Sequence, residues 1–186
     1  AYTELIESET KRAYEAVQSK ANYNFSITPE LFSQYQEIHF KAVEKLMAAS
    51  IVVVRYGNSK QQQLFVDAVV KLCMKSFING EVGVVGTNLL HLFAAAFLLH
   101  TIGVACVKFG YFQLLNVIFK TKVSAGNVLS PSYGYNLAFL AGICHWNTVD
   151  LNIYMGSTWI YPFSELLWRK LYPLFKEFTM DEEDFK

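Results

Sequence analysis

The chain is short of cysteine, of net charge and of recognisable catalytic motifs, and each shortage closes off a class of protein. Its three cysteines, Cys73, Cys106 and Cys144, are too few and too far apart for a disulfide framework, and they form no CxxC metal pattern. Lys+Arg and Asp+Glu stand at 16 each, for a net charge of zero; without a basic excess, the electrostatic footprint of a nucleic-acid binder is missing. A charged share of 17% beside a hydrophobic share of 53% excludes intrinsic disorder. There is no internal repeat or low-complexity tract. Nor is there a GxSxG, HExxH, P-loop, GxGxxG or paired-carboxylate arrangement, so nothing points to an active site, and an accessory rather than enzymatic role is expected.

What is present is an uneven distribution of charge. Residues 1–81 carry nine acids and nine bases, residues 82–164 carry only Lys108, Lys120, Lys122 and Asp150, and residues 165–186 carry ten charges. This division gives a charged helical region (1–81), a membrane-embedded region (82–164), and an interfacial helix with an acidic tail (165–186).

Residues 2–20 read as a polar helix with few apolar anchors, one that needs a partner surface. Thr28-Pro29-Glu30 starts a second helix with a capping hydroxyl, a proline at the first helical position and an acid in the first turn. Leu31, Tyr35, Ile38, Ala42, Leu46 and Ala49 give it an apolar stripe, and Gly57-Asn58 stops it after Tyr56. Ile51–Val54 is too short to cross a bilayer and suits a packed core. Ser59 with Gln62 matches a capping box. It opens an amphipathic helix with Leu64, Phe65, Ala68, Val69, Leu72 and Phe77 on one side, running to Asn79-Gly80. Asp67 and Lys71 form an i,i+4 pair worth roughly 0.2–0.5 kcal/mol.

From Val82 to Val107 there is no charge. At about 1.5 Å per residue this run reaches about 39 Å, enough to cross a hydrocarbon layer of about 30 Å. A buried central helix of a soluble domain is the alternative. Ala94-Ala95-Ala96 and Gly103 offer a smooth patch for close helix approach. Residues 108–122 suit an interface or a helix turning at Gly110, and Gly126-Asn127 and Ser130-Pro131 mark a loop. A second span is expected from near Tyr135 towards Ile153 or Ile160. The chain is thus expected to be an all-α integral membrane protein with two transmembrane helices preceded by amphipathic helices. Trp159, Tyr161, Trp168, Arg169, Lys170 and Tyr172 have the composition of a membrane–water boundary. The lysines between the spans and the bases after the second span fall on opposite sides, so charge does not settle orientation.

His91 and His100 are nine residues apart, about 900° of helix, so they face opposite ways and cannot share one metal. A haem would need His145 opposite one of them. Asp150 is the only acid in the 83 residues from 82 to 164; buried there it must be paired, protonated or near water. Asp150, Trp168, Arg169 and Lys170 are the expected contacts to phospholipid or a neighbouring subunit.

Gly86-Thr87-Asn88-Leu89-Leu90-His91, heading an apolar helix, resembles the G-F-H-G-L-H of cytochrome c oxidase subunit III. Trp146-Asn147-Thr148-Val149-Asp150 resembles that family's W-H-F-V-D, and Gly57-Asn58-Ser59-Lys60-Gln61 its G-N-R-K-Q turn. Asn88 and Asn147 stand where the family has histidine, the motif spacing is about twenty residues longer, and two spans stand against the family's seven. The resemblance implies a metal-free subunit that supports a catalytic neighbour and holds lipid, with His91 and Asp150 as polar contacts. The expectation is a non-catalytic membrane subunit of a respiratory or ATP-synthase-type complex, in contact with its other subunits. The start at Ala1 is compatible with a removed targeting peptide or with a trimmed chain, and the mitochondrial inner membrane is the expected location, although the sequence carries no address for it. The alternatives are a membrane redox anchor binding haem or quinone through His91, His100 and His145, and a soluble all-helical interaction domain.

Overall fold

Thr28 begins the longest helix as its sequence dictates: its hydroxyl accepts the Leu31 amide at 3.3 Å, and Pro29 occupies the first turn, where no N–H is needed. The computed structural model describes residues 2–18, 28–74, 92–124, 134–136, 152, 155, 156, 158, 160 and 162–176. Among them are six helices: α1 (Tyr2–Gln18), α2 (Pro29–Tyr56), α3 (Ser59–Cys73), α4 (Leu92–Phe109), α5 (Phe112–Lys120) and α6 (Pro162–Lys176). Two three-residue strands, β1 (Lys122–Ser124) and β2 (Gly134–Asn136), pair antiparallel with Val123 opposite Tyr135. The architecture is helical apart from this short ladder.

The turn from α2 to α3 depends on close approach. The Gly57 amide donates to the Val53 carbonyl at 2.8 Å, and a β-carbon on Gly57 would lie 2.6 Å from Val53, so a larger residue would force the helix end apart. The capping box sits one residue earlier than the expected Ser59 and Gln62. Asn58 Oδ1 accepts the Gln61 amide while Gln61 Oε1 accepts the Asn58 amide, both at 3.0 Å; an asparagine oxygen caps as well as a serine hydroxyl. The expected Asp67–Lys71 pair is not made. Asp67 accepts from Gln63 Nε2 at 2.9 Å, and the Lys71 ammonium lies 5.6 Å from the centre of the Tyr14 ring.

Helix α1 finds its partner surface on α2 and α3. Ile6, Ala13 and Val17 are buried, Arg12 donates to the Ala42 carbonyl at 3.3 Å, and Glu9 bridges Arg12 and Lys45. On α2 the buried face is wider than the expected stripe. Ala42 and Leu46 are buried as expected, together with Phe32, Gln36, His39, Val43, Met47, Ser50 and Val54, whereas Leu31, Tyr35, Ile38 and Ala49 are only half-buried. The reason is that α2 is packed on two sides, by α1 and α3 and by α4.

Helix α4 lies against α2, α3 and α6. All residues from Leu92 to Leu99 are buried. Phe93 meets Phe32 and Phe163 at centroid distances of 5.8 and 5.9 Å, and Phe97 meets Phe40 at 5.6 Å; such pairs add about 0.5–1.5 kcal/mol each beyond burial. At the far end Arg55 of α2 lies 5.1 Å from the ring centre of Phe109, so α2 and α4 run parallel. Ala94–Ala96 are buried, as expected of a small-residue patch. Gly103 is not a point of close approach, because nothing lies within 4 Å of a β-carbon built there.

Gly110 takes φ +75° and ends α4, with the Tyr111 amide donating to the Cys106 carbonyl at 2.8 Å and the Gly110 amide to Val107 at 3.3 Å. This is the left-handed C-terminal closure that glycine favours. Helix α5 then buries Leu114 and Ile118. Helix α6 buries Phe163, Leu166, Leu167, Leu171 and Phe175 and passes through the exposed Pro173 to Lys176. The expected second span does not begin as a helix at Tyr135, because that residue's backbone is in the β1–β2 ladder. Residues 137–151 of that run, with Trp159, Tyr161, Phe77, Asn79-Gly80 and the tail, lie outside the described residues.

Candidate functional site

His91, His145 and Asp150 lie outside the described residues; His100, Trp168, Arg169 and Lys170 are within them. His100, half-buried on α4, holds its Nδ1 2.8 Å from the Ala96 carbonyl one turn back, so Nδ1 carries the proton and donates. Its ring meets Phe163 edge-on at 5.7 Å. Trp168 stacks on Tyr172 at 4.7 Å with planes 16° apart. Lys170 has a partner within the chain: it ion-pairs with Glu37 of α2, and its ammonium lies 5.3 Å from the centre of the Phe40 ring.

Arg169 and Lys170 come together on a groove of about 660 Å³ between the start of α2 and α6. Helix α2 supplies Pro29, Glu30, Phe32, Ser33 and Gln36; α6 supplies Leu166, Arg169 and Lys170; Met155 and Gly156 close the side. Two carboxylates near this groove are held in their charged form. The hydrogen bond from Lys170 holds Glu37 below the usual carboxylate range. Glu30 is lowered by its own backbone amide and by the Thr28 hydroxyl at the first turn of α2. Phe32, Leu166 and Met155 add apolar side chains to the lining beside Glu30, Arg169 and Lys170.

Sequence reasoning missed the α2 side of this region. Gln36 is only 7% exposed, and its Nε2 makes no hydrogen bond. His39 is fully buried beside Phe93, with ring centres 6.4 Å apart. The signal was their spacing: Phe32, Gln36, His39, Val43, Met47, Ser50 and Val54 repeat at three and four residues once polar side chains are admitted to the stripe.

A second surface lies at the opposite end of α2. Ten large hydrophobic residues are exposed among those described, and seven of them belong to the ends of α2 and α4 or to the α4–α5 turn and α5: Val52, Tyr56, Val107, Tyr111, Phe112, Val117 and Phe119. The Tyr111 hydroxyl donates to the Arg55 carbonyl at 3.0 Å, joining the end of α2 to the α4–α5 turn. The Arg55 guanidinium lies 5.0 Å from the ring centre of Tyr56 and 5.1 Å from that of Phe109.

Among the described residues no group of three or more His, Cys, Asp or Glu side chains could hold a metal ion. Burial pushes the Cys73 thiol up to about 12, so it stays protonated and unreactive at neutral pH. No protein family, curated protein or solved structure matches this chain. The resemblance to cytochrome c oxidase subunit III therefore stands on its quoted residues. Of these, Gly57 and Asn58 form the α2–α3 turn and Ser59–Gln61 open α3, and the other two stretches lie outside the described residues.

Proposed function

We propose that the chain is a non-catalytic helical subunit of a membrane-bound complex, stabilising neighbouring subunits and lipid. The observation that supports this reading most is the clustering of exposed apolar side chains at one end of a bundle built around α4, a helix long and apolar enough to cross a membrane. In water those side chains would be a liability, since monomeric soluble proteins rarely leave large contiguous apolar patches uncovered. In this reading α4 attaches the chain to the membrane, and the charged outer faces of α1, α2 and α3 meet water or other subunits. A second span would come from the run beyond Tyr135. The respiratory or ATP-synthase-type setting and the mitochondrial inner membrane are carried by the sequence pattern alone: apolar runs with small and aromatic residues and no catalytic constellation.

The soluble interaction domain is a second reading, favoured by the burial of Leu92–Leu99 inside the chain's own helices. Alkaline carbonate extraction separates the two. The membrane subunit stays in the pellet and co-purifies with partners in mild detergent, whereas release into the supernatant as a lone chain rules it out. The redox-anchor alternative uses His91, His100 and His145, of which only His100 lies within the described residues. A haem band in the purified complex that His100→Ala abolishes would replace the structural reading with that one.

A further inference from the structure

Resting on the membrane reading above, we infer that the end of the bundle carrying Tyr56, Val107, Phe112 and Phe119 is a docking surface for anionic lipid. Phe112 and Phe119 are seven residues apart on α5, about 700° of turn, which places them within about 20° on one ridge. They are 63% and 59% exposed, while Leu114 and Ile118 on the opposite side hold α5 to the bundle. Val107 and Tyr56, near the ends of α4 and α2 that Tyr111 and Arg55 join, are also exposed, at 61% and 73%.

Among the described residues, the charges carried by the segments that form this end are basic: Arg55 at the end of α2 and Lys108, Lys120 and Lys122 on and beside α4 and α5, all exposed. An apolar, aromatic ridge on segments whose described charges are basic fits a surface that is apolar below and negative above, namely acyl chains under phosphate and carboxylate headgroups. Lysine stems can lie along the apolar layer with their ammonium groups at the headgroups. A second copy of the chain fits worse, because twofold docking of this end would set lysines against lysines.

The test is flotation of the whole chain with phosphatidylcholine vesicles, with and without phosphatidylserine, at low and raised salt. The chain should bind the phosphatidylserine vesicles preferentially and lose binding with salt. Lys120→Ala and Lys122→Ala should each weaken it roughly fivefold. Phe112→Ser with Phe119→Ser should abolish it, while Leu5→Ser, at an exposed site on α1, should leave it unchanged. Circular dichroism checks that each variant keeps its helices. Equal binding to neutral vesicles, binding indifferent to these lysines and phenylalanines, or their loss altering only self-association would each overturn the inference. Its failure is separable from that of the subunit reading. A carbonate-resistant chain that ignores phosphatidylserine sinks this inference alone, and a carbonate-released chain that binds it as described sinks only the subunit reading.

Discussion

The two ends of α4 are close in composition and opposite in surroundings. From Leu92 to Leu99 every residue is enclosed by the rest of the chain. From Gly103 to Phe109 only one face emerges, with Val107 and Lys108 exposed and Gly103, Val104 and Phe109 half-covered, while Ala105 and Cys106 stay buried. Hydropathy alone reads both as one membrane-length segment. The difference lies with the neighbours. Phe32, Phe40 and Phe163 close over the first end, whereas α5 turns away at Gly110 and leaves the second open. Beside the enclosed end, α2 presents Lys41, Glu44 and Lys45 outward. In the membrane reading proposed above, lipid on that side would meet charges costly to bury, which favours the open end for any bilayer contact.

That contrast can be broken first by truncation. Phe97→Ala, at the enclosed end, removes a ring wedged between Phe40 and Phe93 and should cost about 3–5 kcal/mol in chemical denaturation. Val107→Ala, at the open end, should change stability by less than about 0.5 kcal/mol. Equal effects at both sites would mean the two ends share one environment.

A smaller effect of opposite sign is expected at Gln36→Leu. The amide is buried and its Nε2 unbonded, so an apolar replacement of similar size should stabilise the chain by about 1 kcal/mol. A loss of stability would show that the amide has a role in holding α2 against α6. The smallest effect concerns the Glu37–Lys170 pair, which ties α6 to α2. Glu37 titrates below its ordinary value of 4.5. The stabilisation is therefore fully present above that pH and is lost as pH falls through the depressed folded value. Glu37 is about half exposed, so solvent screening keeps the contribution below about 1 kcal/mol. Denaturation midpoints measured from pH 6 to pH 3 should show an acid loss that Lys170→Met reduces.

Much of the helical framework was legible because its signals are local. Thr28-Pro29, Gly57 and Gly110 mark helix ends through one side chain or one backbone angle, and the uncharged run announced α4. The capping box slipped by one residue because asparagine and serine, side by side, are both good caps and spacing alone did not choose between them. The α2 stripe was misread because its buried face includes Gln36, His39 and Ser50, polar residues that a search for apolar positions passes over. The candidate groove was half visible. Arg169 and Lys170 stood out by composition, but their meeting with α2 is set by a contact 133 residues away in sequence.

The sequence by itself determined the helix ends at Thr28, Gly57 and Gly110 and that one segment is apolar enough for a membrane, since caps, glycine angles and charge are properties of neighbouring residues. It did not determine the end of α3, which stops at Cys73 rather than at the expected Asn79-Gly80. Only the tertiary structure decided which part of that segment is core and which is surface. Burial depends on what packs alongside, and Phe32, Phe40 and Phe163 reach α4 from helices far away along the chain.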